Sequence, residues 1–433
     1  MDITFAKLGL NEQILKGVTL LGFTTPTPIQ AAAIPVVLEG KDVVASAQTG
    51  TGKTAAFILP VLQRIAAISK DAAHKPHGKK PKVPTSLPHA LIITPTRELA
   101  NQIDNVAKTI CTSTGQKTVI VTGGAKFKHQ VTALKNGCDV LVATPGRLID
   151  LLDKKQTSLK GIQVLVLDEA DRMLDMGFWP SVHRIMEQLP KKHQTLLFSA
   201  TLPASITSTI DALLKNPKRI EIAKTGQTAA TIEQHLCSVT QGQKPQLLKA
   251  LIDSFDPIPK RILVFCRTKV RVESIYQSLK NEDLKVDVMH SDRPQKARTR
   301  ALERFRNGTI QILVATDVMS RGIDVQGIDV VINYDVPLDP EDYVHRIGRT
   351  GRAGATGQAF TFMGPDEVTP LREIEYFTKS LIPSWDLPNF GYETGRISLQ
   401  TSRSTTKTTR SMFSGSRARG RNFGFGGRYG RHT

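Results

Sequence analysis

Short apolar runs recur along this chain, with amphipathic stretches between them. In the first half they fall at Asp42–Ala45, Leu91–Thr94, Val119–Thr122, Val140–Ala143, Val164–Leu167 and Leu196–Phe198. Runs this short and this rich in Val, Ile and Leu read as strands buried on both faces. Their alternation with helical stretches reads as a doubly wound parallel sheet. A second series follows at Ile262–Phe265, Val286–Met289, Ile312–Ala315, Val330–Asn333 and Ala359–Phe362. The pattern therefore predicts two α/β domains of similar size in tandem, with no repeat at the level of sequence. The boundary is expected near Lys218–Ala230, where T-G-Q-T-A-A-T is small and polar. This gives a first domain over 1–220, a linker over 221–231 and a second domain over 232–385.

Length agrees, since 433 residues exceed the roughly 250–300 at which single cores stop growing. Charge adds something the pattern does not show. A net charge of +19 with a pI near 9.8 implies a polyanionic partner or an anionic surface. Cys111, Cys138, Cys237 and Cys266 are scattered and form no C-x-x-C pair, so a metal site or disulfide framework is not expected and a reducing cytosol fits. No apolar run approaches the roughly 18 residues of a membrane span, and M-D-I-T-F lacks the features of a signal peptide. These features together predict a cytoplasmic protein.

Two segments break the pattern. Ser69–His89 carries five lysines and four prolines with almost no apolar residues, and is expected to be a mobile basic loop. Residues 394–433 hold nine Lys or Arg and no Asp or Glu, so they carry nine of the net positive charges. Arginine, glycine and aromatics (Phe413, Phe423, Phe425, Tyr429) are interleaved there without periodicity. That composition predicts a disordered Arg/Gly-rich tail in which guanidinium and ring faces stack on single-stranded bases. A tail that merely keeps the chain soluble is the plainer reading.

The chemistry sits at strand ends. Ala47–Thr54 (A-Q-T-G-T-G-K-T) follows one apolar run and precedes a helical pattern, as a phosphate-binding loop does. In such a loop, backbone N–H groups of Gln48, Thr49, Gly50, Thr51 and Gly52 cradle phosphates, Lys53 reaches the β- and γ-phosphates, and Thr54 ligates Mg²⁺. Ala47 stands where the plain pattern has Gly. Asp168-Glu169-Ala170-Asp171 comes directly after Val164–Leu167, at the rim where open α/β sheets bind ligands. Asp168 can hold Mg²⁺ through water, and Glu169 is the candidate base for an attacking water.

These motifs and their order resemble the DEAD-box ATP-dependent RNA helicases, from Phe5 to about Gly357. The resemblance implies two tandem RecA-like domains, ATP and Mg²⁺ as cofactors, and RNA as partner. Gly22–Gln30 (G-F-T-T-P-T-P-I-Q) resembles the family's adenine-recognition segment, with Phe5 upstream. By that likeness Gln30 reads the adenine edge, Phe23 packs near the ring, and Phe5 and Thr25 complete the pocket. Pro95, Thr96 and Arg97 of P-T-R-E-L-A, Gly123-Gly124, and Thr144, Pro145, Gly146 and Arg147 match RNA-contact segments of the first domain. Ser199 and Thr201 of S-A-T resemble the segment that couples hydrolysis to strand separation, with Asp171 as its partner.

In the second domain, H-R-I-G-R-T-G-R (345–352) resembles the segment in which Arg349 and Arg352 act as arginine fingers and His345 links to the first domain. A-T-D-V-M-S-R-G-I-D (315–324) implies that Asp324 contacts the ribose and Thr316 contacts RNA. Gln295 and Arg298 fit a Q-x-x-R pair, although the preceding H-S-D-R-P departs from the commoner H-G form. V-F-C-R (264–267) matches a segment of less defined role. The region from Phe5 to Gln63 and the short tail look most like the bacterial RhlE-type branch.

With Lys53, Thr54, Asp168 and Glu169 in one domain and Arg349 and Arg352 in the other, neither half is a complete enzyme. ATP and a strand across both domains would close the site, and a bent strand incompatible with duplex geometry would give local, non-processive unwinding of RNA. The expected setting is ribonucleoprotein or decay complexes. Two other readings stand beside it: a DNA-directed helicase of the same superfamily, and an ATP-gated RNA clamp or annealing chaperone.

Overall fold

The computed structural model describes residues 3–47, 51–73, 87–201, 214, 216–222, 231–317, 325, 327–351 and 356–397. The first series of apolar runs forms β1 (Val43–Ser46), β2 (Ala90–Ile93), β3 (Thr118–Val121), β4 (Val140–Ala143), β5 (Val164–Asp168), β6 (Gln194–Ser199) and β7 (Lys218–Glu221). They pair in the order β3-β4-β2-β5-β6-β1-β7, with every pairing parallel. The second series forms β8 (Ile232–Ser238), β9 (Ile262–Cys266), β10 (Val286–Met289), β11 (Ile312–Thr316), β12 (Val330–Asn333) and β13 (Gly357–Met363). This second sheet is also all parallel, in the order β10-β11-β9-β12-β13-β8.

Both sheets are covered on both faces, which is why their strands read as continuous apolar runs. In β5, Val164 and Val166 join one core with Ile29, Phe57 and Phe198, while Leu165 and Leu167 join another with Leu148, Met173 and Ile185. The period-two alternation of a strand sends neighbouring residues to opposite layers.

Strand order also sets up the site. β6 lies between β1 and β5, with Ser46 beside Ser199 and Asp168 beside Phe198. The phosphate loop, the S-A-T segment and the acidic quartet therefore leave the sheet side by side at its C-terminal edge.

The structure departs from the pattern in four places. The helix Lys53–Ala73 runs past Ser69, because S-K-D-A-A contains no helix breaker, and residues 74–86 of the expected loop lie outside the described residues. Lys218–Glu221, placed within the boundary region, is an edge strand of the first sheet; K-R-I-E buries only Ile220. Ile232–Ser238 is a strand whose polar Glu233, Gln234 and His235 hid it.

The fourth departure is at the end of the second domain, whose packing runs past residue 385. The Trp385 N–H donates to the Leu236 carbonyl at 2.8 Å, and Leu387, Phe390 and Tyr392 lie against the second core. Arg396, placed in the tail by composition, forks onto Asp386 at 2.6 and 2.9 Å and lies over the Tyr392 ring. Among the described residues, no helix is long and apolar enough to cross a membrane.

Candidate active site and nucleic-acid interface

Lys53 is the first residue of its helix and is buried, its Nζ donating to the Ala47 carbonyl at 2.7 Å. Gly52 before it has φ +88°, a left-handed conformation that favours glycine, and a Cβ there would lie 2.3 Å from Gln30 Nε2. Gln30 makes that close approach for a reason. Its amide oxygen accepts from the Thr27 N–H at 3.0 Å, closing a capping box, while its amide nitrogen donates to the Gly52 carbonyl at 3.1 Å. The segment expected to read adenine is thereby tied to the phosphate loop. Phe5 is buried and stacks on the more exposed Phe23 with ring centroids 6.5 Å apart, and Thr25 is exposed nearby in sequence. Thr51 and Thr54 are half-buried; Gln48, Thr49 and Gly50 lie outside the described residues.

Asp168 ends β5 almost fully buried. Burial pushes its carboxyl up to about 7, against the pull of the Lys53 ammonium and with Glu169 adding to the rise. Glu169 has φ +53°, uncommon for a residue with a side chain, and its buried Oε2 has no hydrogen-bond partner. A strained backbone holding an orphaned carboxylate oxygen is the signature of a functional residue rather than a packing one. Asp171 faces the other way. Its Oδ2 accepts from the N–H groups of Ala200 and Thr201 at 3.0 and 2.9 Å and lies 3.1 Å from Thr201 Oγ1, and its own N–H donates to Ser199 Oγ at 3.3 Å. The acidic quartet thus divides between two neighbours: Asp168 lies in the field of Lys53 of the phosphate loop, and Asp171 faces S-A-T.

The second domain presents the helix Pro340–Ile347 to this edge. His345 contacts the Arg172 guanidinium across the domains. Arg346 turns inward, away from the site, bonding Asp317, Asn333 and the Asp335 carbonyl. Arg349 follows the helix, with its Nε donating to the His345 carbonyl at 3.2 Å. Arg352 and Asp324 lie outside the described residues, and Thr316 ends β11 half-buried.

The residues expected to meet RNA gather at adjacent strand ends. Thr96 caps the helix Arg97–Thr114, its side chain accepting from the Leu99 N–H at 3.3 Å. Pro95 precedes it, buried. Thr144 and Pro145 open the helix Pro145–Asp153 one strand away, so two helix N-termini with unpaired N–H groups lie side by side. A Cβ at Gly146 would meet nothing within 4 Å, so no protein neighbour accounts for that glycine. Gly123 and Gly124 are explained by Arg97, since a Cβ on Gly124 (φ +76°) would fall 2.2 Å from its guanidinium. Arg147 donates to the Ala125 carbonyl at 3.1 Å. Arg97 reaches across the domains to Gln295 Oε1 at 3.3 Å, and Gln295 and Arg298 both hold Glu98, with Gln295 Nε2 3.1 Å from its carboxylate.

Residues 27–209 match the DEAD/DEAH box helicase family model, and residues 243–354 match the helicase conserved C-terminal domain. The chain belongs to the DEAD-box ATP-dependent RNA helicases. It is 40% identical to the DEAD-box ATP-dependent RNA helicase CshA of Bacillus subtilis, over 88% of this chain and 73% of that one. It is 41% identical to RhpA of Helicobacter pylori, over 89% and 74%. Among solved structures it resembles S. cerevisiae Dbp5 bound to RNA and ADP BeF3, with 31% identity and a TM-score of 0.77, over 88% of this chain and 94% of that one. Family membership makes the chain an RNA-stimulated ATPase that uses ATP to act on RNA, built on two RecA-like domains.

Three interface residues of this helicase have no place in its motif reading. Arg172 is buried yet held charged by Asp342, Asp171 and Asp175, which outweigh the cost of burial; its Nη1 lies 2.7 Å from Asp342. Glu341 Oε2 lies 2.7 Å from Thr201 Oγ1. Glu98, spacing in P-T-R-E-L-A, is the carboxylate that Gln295 and Arg298 share. The one signal in the sequence is adjacency: Arg172 follows the acidic quartet, and Glu341 and Asp342 open the helix that carries His345 and Arg346.

Proposed function

We propose that the ATPase site of this helicase is split between the two domains, and that RNA-driven closure completes it for local, non-processive unwinding. Gln30, Phe23, Thr25 and Phe5 hold the adenine, residues 48–54 the phosphates, and Asp324 the ribose. Glu169 orients and deprotonates the attacking water, while Arg349 and Arg352 place positive charge at the γ-phosphate. Pro95, Thr96, Arg97, Gly123, Gly124, Thr144, Pro145, Gly146, Arg147, Gln295, Arg298 and Thr316 form the RNA path, largely through backbone N–H groups and guanidinium charge. Contacts of that kind give little sequence preference. Asp171, Ser199, Thr201 and His345 couple the two sites.

Mg²⁺ fits the donors present. Asp168 is a buried carboxylate beside Lys53, and Glu169 Oε2 is an orphaned oxygen one residue on. Among the described residues no cluster of three or more His, Cys, Asp or Glu could hold a metal alone, which suits an ion shared with nucleotide phosphates. Thr54 and Asp168 would hold it, and bound there it would neutralise charge on the transferred phosphoryl group.

The observation that carries this reading is the position of β6. S-A-T stands between the phosphate-loop strand and the acidic strand, and Asp171 and Thr201 face the arginine-bearing helix across the domains. The finer placement we propose is the RhlE-type branch, acting in ribonucleoprotein or decay complexes, with domains over 1–220 and from 232 and an RNA-binding tail. Four free, buried cysteines agree with a reducing, cytoplasmic setting.

The test compares ATP turnover with single-stranded RNA, matched DNA and no nucleic acid. RNA alone should stimulate; equal stimulation by DNA would remove the RNA-directed reading. Glu169→Gln should lower turnover by roughly 10²–10⁴ while ATP and RNA still bind. Unchanged turnover would take Glu169 out of the mechanism.

A further inference from the structure

Thr201 Oγ1 lies within hydrogen-bond distance of two carboxyl groups from different domains: Asp171 Oδ2 at 3.1 Å and Glu341 Oε2 at 2.7 Å. A threonine hydroxyl has one hydrogen and two lone pairs. It can donate to only one carboxylate, and two ionised carboxylates facing one oxygen would leave one of the two contacts without a hydrogen and repulsive. A second hydrogen is needed. Asp171 is poorly placed to carry it, because its Oδ2 already accepts two N–H bonds and its Oδ1 accepts the Arg172 N–H at 3.0 Å. Glu341 Oε2 has the short contact and can supply the hydrogen itself.

We propose that Glu341 is a positioning residue that carries a proton when the domains close and donates it to Thr201 Oγ1. The resulting chain, Glu341 to Thr201 to Asp171, joins the helix that bears His345 and leads into Arg349 to the acidic quartet. Closure takes up one proton from solvent: an O–H bond forms on the Glu341 carboxylate, one breaks in the hydronium or buffer acid that gives the proton, and only hydrogen bonds change elsewhere. The proposal rests on the reading of Asp171 and Thr201 as coupling residues.

The surroundings of Glu341 favour the proton. Burial pushes its carboxyl up to about 7, with Asp171 and Asp339 adding to the rise and the Thr201 bond and the Arg172 guanidinium opposing it. Arg172 does not cancel the effect, because Asp342, Asp175 and His345 already engage its guanidinium. The Asp339 side chain accepts from the Glu341 N–H at 2.9 Å, fixing the first turn of the helix at the interface. With the domains apart, the carboxyl returns to its ordinary range and ionises. The folded-and-closed form therefore holds a proton that the open form has lost, and closure weakens as pH rises through about 7.

The experiment measures turnover at saturating ATP, Mg²⁺ and a single-stranded RNA oligonucleotide from about pH 6 to about pH 9, where a group of this kind titrates. The wild-type protein should lose turnover as pH rises. Glu341→Gln, whose amide N–H donates at every pH, should keep near wild-type turnover at low pH and lose that decline. Glu341→Ala should be lower at all pH values, on the order of tenfold. A Gln variant as impaired as the Ala variant, or one that keeps the wild-type pH profile, would overturn the proposal. Thr201→Val separates the two layers. Reduced turnover there keeps the coupling role even if the Gln result fails, and wild-type turnover would remove that role together with the proposal.

Discussion

Arg346, on the helix Pro340–Ile347, holds Asp317 with two arms of its guanidinium, at 2.5 and 2.7 Å. Its third partner is the Asp335 carbonyl at 2.7 Å, and its plane lies over the Phe265 ring. Three arginines spaced i, i+3 and i+6 look alike in sequence, yet this one faces the second sheet. Its neighbour Arg349 follows the helix, with its Nε donating to the His345 carbonyl at 3.2 Å.

That difference predicts opposite phenotypes. Arg346→Ala removes the buried guanidinium that Asp317, Asn333 and the Asp335 carbonyl share and should cost about 3–5 kcal/mol of stability, seen as a lowered melting temperature. Arg349→Ala should melt like the wild-type protein but lose roughly 10³–10⁵ in RNA-stimulated turnover. Matched melting temperatures for the two variants would show that Arg346 is not the anchor.

Asp168 predicts a pH dependence of stability in protein free of nucleotide and Mg²⁺. Its folded carboxyl is pushed up to about 7, chiefly by burial, so the folded state keeps a proton the unfolded chain has released. The stabilisation is present at low pH and is lost as pH rises through about 7. Asp168→Asn removes this group and should flatten the fall in melting temperature between about pH 5 and about pH 8, while abolishing turnover. A variant that retains the wild-type slope would place the titration elsewhere.

The C-terminal region should separate into two functions. Cutting after Ile397 removes the basic tail but leaves the Arg396–Asp386 pair and the Tyr392 contact. RNA affinity should weaken and its salt dependence flatten, with turnover at saturating RNA retained. Cutting before Ile382 strips Trp385, Leu387, Phe390 and Tyr392 from the second core and should lower the melting temperature by several degrees. An equal melting temperature for both truncations would show that the segment 382–397 does not stabilise the domain.

Much of this could be read directly from the chain. The buried strands were legible because a strand covered on both faces must be apolar throughout, as Val164–Leu167 is. Ala47–Thr54 and Asp168–Asp171 stand out in the chain because the chemistry expected of them needs fixed residue types at fixed spacing next to a strand. β7 was not, since an exposed edge strand such as K-R-I-E needs only Ile220 to be apolar. The ordered strap from 382 to 397 was hidden because its composition is mixed and its partners, Leu236, Gln243 and Thr240, lie far back in the chain.

What the sequence determined was the set of elements and the groups able to do chemistry, because both follow from local pattern. What only the tertiary structure decided was which of those groups face one another. β6 had to be inserted between β1 and β5 before Asp171 could meet Thr201, and the second domain had to dock before Glu341 and Asp342 could reach Thr201 and Arg172. Those partners are separated by 140 and 170 residues. No local periodicity encodes such pairings, since they come from two folded surfaces meeting.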